Sequence, residues 1–411
     1  MRFKAVAVGV LMLAAGVGAQ VPVAPAGRVS PPDLRGTREE LGEAMREYAA
    51  AEAATAADFD RAVAASKSAA ELLAVSTRST AELAARRRPS VERVLAGVRP
   101  IAATPAAAEG LTWVAATHAA GLSAEAAGLL KAHHLTRHET LGLAYHSKDD
   151  PTLWSEALLK AIRAAADVPE AHRHGLLMAL AVTKQNQAEV ARAVRAMSAP
   201  QLAMWRVGHG PELLAFYRGL DLKATEAEAV ALFGEFGAKY GPGQYRRSLT
   251  FADYAKSSVF EIQNLQVGQV VPDFVGEDFA GAKYRPGQSR GKVVAVVFYG
   301  GLGGVTPTTL GHMGALVGDM KGLPFELVAV HSGADRAKVA DALAGVSATW
   351  RNLCCGAEKS STDLATAWNV QRDATTYLLD AEGVIRRKGV PFGQALHYEV
   401  QALLAEHAAK K

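Results

Sequence analysis

The chain carries two thiols, Cys354 and Cys355, which are adjacent in the sequence. A thiolate is the nucleophile of thiol–disulfide exchange, so any cysteine chemistry of this chain has to use one of these groups. Neighbouring Cα atoms lie about 3.8 Å apart across a trans peptide, below the lower limit of about 4.4 Å for an ordinary disulfide. A bond between the two sulfurs would be strained and easily reduced, which suits a redox switch. Ordinary buried or dimer-forming thiols are the alternative.

Histidines form a second group of candidates. Four potential metal ligands lie in one short segment: His133, His134, His138 and Glu139. The spacing of His134 and His138 places them on one helical face, as in some zinc sites. No third ligand has diagnostic spacing, and His172 and His174 lie too far along the chain to be assigned to the same site. We therefore predict no metal site, and no motif indicates a cofactor.

A glycine-rich segment precedes Thr306-Pro307, which has the pattern of a helix start with a hydroxyl cap and a proline in the first turn. The four glycines are Gly300, Gly301, Gly303 and Gly304. Exposed N–H groups at such a start could bind an anion or a peptide, with Gly300, Gly301, Gly304 and Thr306 as the candidates. The segment contains no lysine, so nucleotide binding has no support, and a flexible connection is the alternative.

The elements that position these residues follow Gln266. Three short apolar runs are typical of buried strands, and they cover 293–298, 325–330 and 375–379. Helical patterns lie between and after them, at 307–320, 334–343, 362–368 and 394–407. Asp380 to Gly383 has the composition of a hairpin turn. This alternation predicts an α/β domain with a mixed central sheet.

The order of these elements resembles the thioredoxin-like redoxins of the bacterial envelope, which include thiol-disulfide reductases and AhpC/TSA-type peroxiredoxin-like proteins. The resemblance covers about 140 residues. It begins at the segment 267–274, which looks like the entry strand, and continues through Arg290-Gly291-Lys292, Trp350, the Leu364-Ala365 helix and Thr376-Tyr377-Leu378-Leu379-Asp380. The run 251–265 resembles the helix that precedes this domain where redoxins are fused to a helical region. The resemblance implies a thioredoxin-like fold.

The residues that perform the chemistry of this family are absent. The resemblance places a Cys-x-x-Cys motif at the helix start, and the two matching positions here are Gly303 and Thr306. No cysteine precedes Cys354, so a shift of alignment does not restore the motif. The position of the family's cis-proline is Ala374, where a cis bond would cost about 2.5–4 kcal/mol. We therefore expect a domain without thiol exchange at the usual position.

The region from 37 to 265 is rich in helix-forming residues and is interrupted by proline and glycine, which predicts an all-α domain of packed helical hairpins. It is repeat-like, although no 34-residue repeat is present. Residues 20–36 have the composition of an extended linker. The predicted organisation is therefore a signal peptide (1–19), a linker (20–36), a helical domain (37–265) and a thioredoxin-like domain (266–411).

The first residues have the pattern of a cleavable export signal, with Arg2 and Lys4 followed by an apolar run and small residues. No later segment is predicted to cross a membrane, which indicates a periplasmic or secreted protein. The net charge is only +4, and Arg86-Arg87-Arg88 is interpreted as the end of a helix before Pro89 rather than a nucleic-acid site.

These patterns predict an envelope protein that binds a protein or peptide partner of unknown identity, a pseudoenzyme at the usual redox position. The alternative is a thiol-disulfide oxidoreductase or a peroxiredoxin-like antioxidant protein that uses Cys354 and Cys355, or the thiols of a partner.

Overall fold

The computed structural model describes residues 35–65, 69–117, 119, 121–149, 152–197, 199–246, 249–300, 306–331, 336–346, 348–354, 364–371, 375–390 and 393–409. The chain forms two compact units, which divide between Leu232 and Phe233. The predicted signal peptide and nearly all of the predicted linker lie outside the described residues. No helix among the described ranges is long and apolar enough to span a membrane.

The first unit is helical, as the sequence predicts. Its helices are α1 (Arg35–Ala65), α2 (Ala69–Val98), α3 (Ala107–Ala116), α4 (Leu122–His133), α5 (His138–His146), α6 (Leu153–Ala164), α7 (Glu170–Ala196), α8 (Ala199–His209), α9 (Pro211–Gly219) and α10 (Leu222–Tyr240), the last of which continues into the second unit. Consecutive helices pack as pairs, among them α1 with α2, α3 with α4, and α6 with α7.

Helix α2 corrects one interpretation of the sequence, because it continues through Pro89 to Val98 instead of ending at the arginine triplet. Val91, Leu95 and Val98 are buried beyond the proline, and burial of this apolar face outweighs the hydrogen bond that proline cannot make. The three arginines form ion pairs within the hairpin of α1 and α2 and along α2. Arg86 and Arg87 contact acidic residues of α1, and Arg88 forms an ion pair with Glu92.

An ion cluster around the buried Lys184 joins α6, α7 and α10. The Lys184 ammonium lies 2.5 Å from Glu156 Oε1 and 2.8 Å from Glu228 Oε2, and Lys160 contacts the same two carboxylates. Burial alone would raise the pKa of Glu156, but hydrogen bonds from Lys160, Lys184 and Gln187 lower it to about 2. The cluster therefore stays charged, which compensates for the burial of Lys184.

The second unit begins within α10 and contains a sheet. Its further elements are β1 (Gln244–Arg246), β2 (Leu249–Thr250), α11 (Phe251–Asn264), β3 (Gly276–Asp278), β4 (Lys283–Tyr284), β5 (Val293–Tyr299), α12 (Pro307–Asp319), β6 (Phe325–His331), α13 (Arg336–Gly345), β7 (Arg351–Cys354), α14 (Leu364–Ala367), β8 (Thr375–Leu379), β9 (Ile385–Lys388) and α15 (Gln394–Ala409). The three predicted strands and the four predicted helices are all present, with small differences at their ends.

Seven strands form the main sheet in the order β4-β3-β7-β6-β5-β8-β9. β5, β6 and β7 are parallel to one another, while β8 pairs antiparallel with β5, and β9 with β8. The carboxyl ends of β5, β6 and β7 therefore meet at one edge of the sheet. This is the mixed sheet predicted from the sequence.

The sheet is buried on both faces, which explains the continuous apolar runs. Val293, Ala295, Val297 and Tyr299 pack in one cluster with residues of α12 and α15. Val294, Val296 and Phe298 pack in a second cluster on the opposite face, together with residues near α11 and α14. Side chains alternate between faces along a strand, so a strand covered on both sides has no polar positions.

Three parts of this unit differ from the sequence-based interpretation. The segment 267–274, interpreted as an entry strand, is not a regular strand, but Gly268, Gln269 and Val271 form backbone hydrogen bonds with residues 383–385 around a bridge from Val270 to Val384. Strand β7 was not predicted, since its first two residues are Arg351 and Asn352. Helix α11 was grouped with the helical domain, but Phe260 and Leu265 pack in the second cluster of the sheet, so α11 belongs to the sheet unit.

Candidate functional site

The helix start that carries the redox motif in the similar family lies directly after β5. β5 ends at buried Tyr299, and Gly300 has a φ of 79°, a conformation that favours glycine. Thr306 then caps α12, with its hydroxyl accepting a hydrogen bond from the Thr309 amide at 3.1 Å. The predicted cap is confirmed. Thr306 is exposed and supplies a hydroxyl where a thiol would be required.

Several predicted site residues lie outside the described residues. They are Gly301, Gly303, Gly304, Cys355 and Ala374. The proposals that rest on them, an anion or peptide site in the glycine segment, a reshaped loop at Ala374 and a bond between the two cysteines, therefore remain predictions. Of the candidate residues, Gly300, Thr306 and Cys354 have described positions.

Cys354 is the last residue of β7, at the sheet edge where β5 and β6 also end. In the parallel register it is paired with His331 of β6, and His331 is paired with Tyr299 of β5. Residues paired across neighbouring strands face the same side of a sheet, so the three side chains form one row. The Tyr299 and His331 rings lie 5.3 Å apart between centroids.

Exposure differs along this row. Tyr299 and His331 are 1% and 2% exposed, whereas Cys354 is partly exposed and has a free thiol. The thiol is therefore the member of the row that a molecule in solution reaches most easily. Sequence reasoning named Cys354 but missed His331, whose signal was a polar residue directly after the apolar run 325–330.

Asn352 lies on the same face of β7 as Cys354 and is hydrogen-bonded to Tyr299, another member of the row. Its Oδ1 accepts hydrogen bonds from the Tyr299 hydroxyl at 3.2 Å and from Trp350 Nε1 at 3.1 Å. Burial raises the pKa of the Tyr299 phenol, and the nearby Cys354 raises it further. Tyr299 is thus a neutral hydrogen-bond donor over the physiological range of pH.

A cavity of about 430 Å³ lies at the same edge of the sheet. Its aromatic and aliphatic lining is Phe260, Phe274, Val330, Leu353, Leu364 and Trp368. Val275, which is 51% exposed, is also part of the lining. Gly276 is required here, because a Cβ atom at this position would lie 2.5 Å from the Leu353 Cδ1 atom. The lining also includes Cys354 and the acidic residues Asp273 and Glu277, so the cavity presents both apolar and polar groups to a ligand.

A buried polar network connects α11 to the segment that leads to β8. Glu261 accepts hydrogen bonds from Asn369 Nδ2 at 2.6 Å and from the Lys388 ammonium. Asn369 has a φ of 54°, and its Oδ1 accepts from Gln371 Nε2 at 2.6 Å. Gln371 in turn accepts a hydrogen bond from Tyr245. The network fixes the chain up to residue 371.

The histidine candidates are separated by the structure. His134 is buried, with Nε2 lying 2.7 Å from the Ala102 carbonyl oxygen, and burial lowers its pKa. His138 begins the next helix, α5. Within the described ranges, no group of three or more His, Cys, Asp or Glu side chains is arranged to hold a metal ion. The contact of His134 with the Ala102 carbonyl oxygen is therefore a structural one.

Comparison with known proteins gives matches to solved structures only. No family model and no curated protein matches the chain. The thioredoxin domain of a thiol-disulfide oxidoreductase from Bacteroides vulgatus is 20% identical, with 34% of this chain and 99% of that domain covered and a TM-score of 0.31. A thiol-disulfide oxidoreductase from Bacteroides fragilis is 18% identical, covering 33% and 99%, with a TM-score of 0.29.

A thiol:disulfide interchange protein from a Bacteroides species is 20% identical, covering 34% of this chain and 91% of that one, with a TM-score of 0.30. The strand order and directions of the sheet unit define its class, an α/β protein with a thioredoxin-like fold. The chain as a whole therefore joins an all-α helical unit to a thioredoxin-like unit.

Proposed function

We propose that this chain is an exported protein of the cell envelope whose thioredoxin-like unit binds a protein or peptide segment. The observation that carries the proposal is the cavity of about 430 Å³ at the carboxyl edge of the sheet, where aromatic and aliphatic side chains lie beside Asp273 and Glu277. An extended segment with a bulky side chain could place that side chain against Phe274 and Trp368, whose rings pack on each other with centroids 5.4 Å apart. Each Å² of apolar surface removed from water contributes about 25 cal/mol, so one large side chain supplies a useful share of the affinity.

The sequence supports binding rather than thiol exchange at the helix start. Residues 300–306 contain no cysteine, and Thr306 uses its hydroxyl as a helix cap. The pocket that remains at the sheet edge needs no nucleophile in order to bind a ligand. A thiol-disulfide oxidoreductase or peroxiredoxin-like activity at Cys354 and Cys355 is the competing function, and measurement of disulfide-reductase and peroxidase turnover separates the two. Turnover above that of the Cys354→Ser, Cys355→Ser protein would overturn the noncatalytic reading.

Binding at the cavity is tested by site-specific photo-cross-linking in the full chain. A benzophenone amino acid replaces Val275, which lines the cavity, or Val270, which is 56% exposed and does not line it. We expect a discrete adduct with an envelope protein or peptide from position 275 and none from position 270. Excess unlabelled protein should suppress the adduct, and the Val275→Asp protein should not. Equal adducts at both positions, or none at 275, would refute the proposal.

Export is proposed from the N-terminal sequence pattern, and cleavage is expected near Gln20. Mass spectrometry of the N-terminus of the protein recovered from the envelope fraction tests this directly. Recovery of the full-length chain from the cytoplasm would contradict it.

A further inference from the structure

The cavity at the carboxyl edge of the sheet has acidic residues beside its aromatic rings. Asp273 and Glu277 both belong to the lining, and both are exposed. The Asp273 carboxylate forms an ion pair with Arg285, whose Nη1 atom lies 2.5 Å from Oδ2. The charge of Asp273 is therefore compensated within the protein, and Glu277 is the acidic group of the lining that is left for a ligand.

Glu277 lies on β3, between β4 and β7. Lys283 of β4 is its neighbour in register, yet the two side chains form no ion pair, and the Glu277 carboxylate has no hydrogen-bond partner in the part of the chain that the structure describes. On the other side, Glu277 is in register with Cys354, which also lines the cavity. A negative charge without a bound cation therefore lies at the wall of the cavity.

Aromatic rings share the lining with this charge. Phe260 and Phe274 are partly buried, and the Phe274 ring packs against the buried Trp368 with centroids 5.4 Å apart. The face of an aromatic ring attracts a cation, and the alkyl stem of lysine or arginine packs on apolar surface while its charged end stays in water. A carboxylate beside aromatic rings therefore suits a basic side chain better than an acidic one.

We propose that the cavity selects a lysine or arginine side chain of the bound segment, with the alkyl stem on Phe260 and Phe274 and the cationic group at Glu277. This inference rests on the proposed function, because it names the chemistry of the segment that binds there. Charge complementarity carries it: a cation supplies the partner that Glu277 lacks, whereas an acidic side chain is repelled. Binding of this kind needs no covalent step.

Saturation-transfer NMR on the full chain tests this selectivity with tripeptides blocked at both ends. Their central residue is lysine, Nε-acetyl-lysine or glutamate, between two serines. Acetylation keeps the alkyl stem and removes the charge. We expect the lysine peptide to bind about fivefold more tightly than the acetyl-lysine peptide, and the glutamate peptide to bind most weakly. Equal affinities, or no binding by any of the peptides, would overturn the inference.

The role of Glu277 is tested with Glu277→Gln, which removes the charge at nearly constant shape. This change should weaken binding of the lysine peptide about fivefold and leave the acetyl-lysine peptide unaffected. The matched control is Glu382→Gln, in the exposed turn after β8 and outside the lining, which should alter neither affinity. The same loss in both variants would assign the preference to the overall charge of the protein and reject a role for Glu277.

Salt dependence gives a second measurement that needs no variant. Raising the ionic strength from about 0.1 M to about 1 M shortens the screening length from about 10 Å to about 3 Å, so the preference for lysine over acetyl-lysine should disappear. A preference that survives high salt would contradict recognition by charge. Cross-linking from position 275 keeps the two proposals distinguishable, because an adduct without a lysine preference would support binding at the cavity and reject this selectivity.

Discussion

The carboxyl ends of β5 and β7 lie on one edge of the sheet, and different hydrogen bonds stabilise the chain at each of them. β5 leads towards a helix start that is capped by an exposed threonine, and one hydroxyl-to-amide hydrogen bond forms that cap. β7 ends at Cys354 beside a buried set of hydrogen bonds centred on Asn352. The first end has a helix start without a thiol, and the second ends in a partly exposed free thiol beside this hydrogen-bonded set.

The largest effect is expected from Asn352→Leu. The apolar side chain leaves the Tyr299 hydroxyl and the Trp350 indole N–H without their acceptor, which should cost about 3 kcal/mol in the free energy of opening of β5 and β7. Hydrogen exchange followed by mass spectrometry measures this opening. Addition of Tyr299→Phe removes one of the two donors that lost this acceptor and should recover about 1 kcal/mol. If Asn352→Leu leaves exchange unchanged, the β7 end is not held as described.

A smaller effect concerns the ionisation of Tyr299. Burial raises its pKa in the folded chain, so the unfolded chain loses this proton first as the pH rises. The contribution to stability is complete below pH about 10 and falls above it, by up to about 1.4 kcal/mol per pH unit. Tyr48 and Tyr284 also have raised pKa values and add to the fall.

Absorbance titration of tyrosinate checks this expectation in the native and the denatured protein. Tyr299→Phe should lower the number of tyrosines that ionise in denaturant by one, and it should leave the number that ionises in the native protein at pH 11 unchanged. A decrease of one in the native count would show that the phenol is accessible and the row loosely packed.

The smallest effect is expected at the helix start that follows β5. Thr306→Ala removes the cap of α12 and should lower the protection of the first-turn amides by about 1 kcal/mol. The matched control is Thr309→Ala, which keeps the capping bond and should cost only a few tenths of that. Hydrogen exchange of residues 307–310 measures both. An effect of Thr306→Ala as large as that of Asn352→Leu would remove the contrast between the two ends.

The sequence predicted the parts of the sheet that are buried on both faces. β5 is a continuous apolar run, and β6 and β8 are mostly apolar, because each strand is covered on both sides. β7 was missed because Arg351 and Asn352 face partners that are distant in sequence, Glu326 in one case and Tyr299 in the other. The same reason explains the absence of His331 from the candidates, since only strand register places it next to Cys354.

Helix ends were less predictable from local signals than strand cores. Thr306-Pro307 starts a helix as expected, yet Pro89 does not end one, because residues beyond it are buried against neighbouring helices. Local sequence determines whether a cap can form, whereas tertiary burial determines whether a helix continues. The candidate positions Gly303 and Ala374 are assigned from sequence alone.

The link between Glu261 and Lys388 sets a limit on how this protein can be cut into pieces. Glu261 lies on α11, and Lys388 lies on the last strand of the sheet. A fragment that began at residue 266 would leave the Lys388 ammonium, only 15% exposed, without its carboxylate, and would remove Phe260 from the core. The shortest piece that keeps these contacts has to include α11.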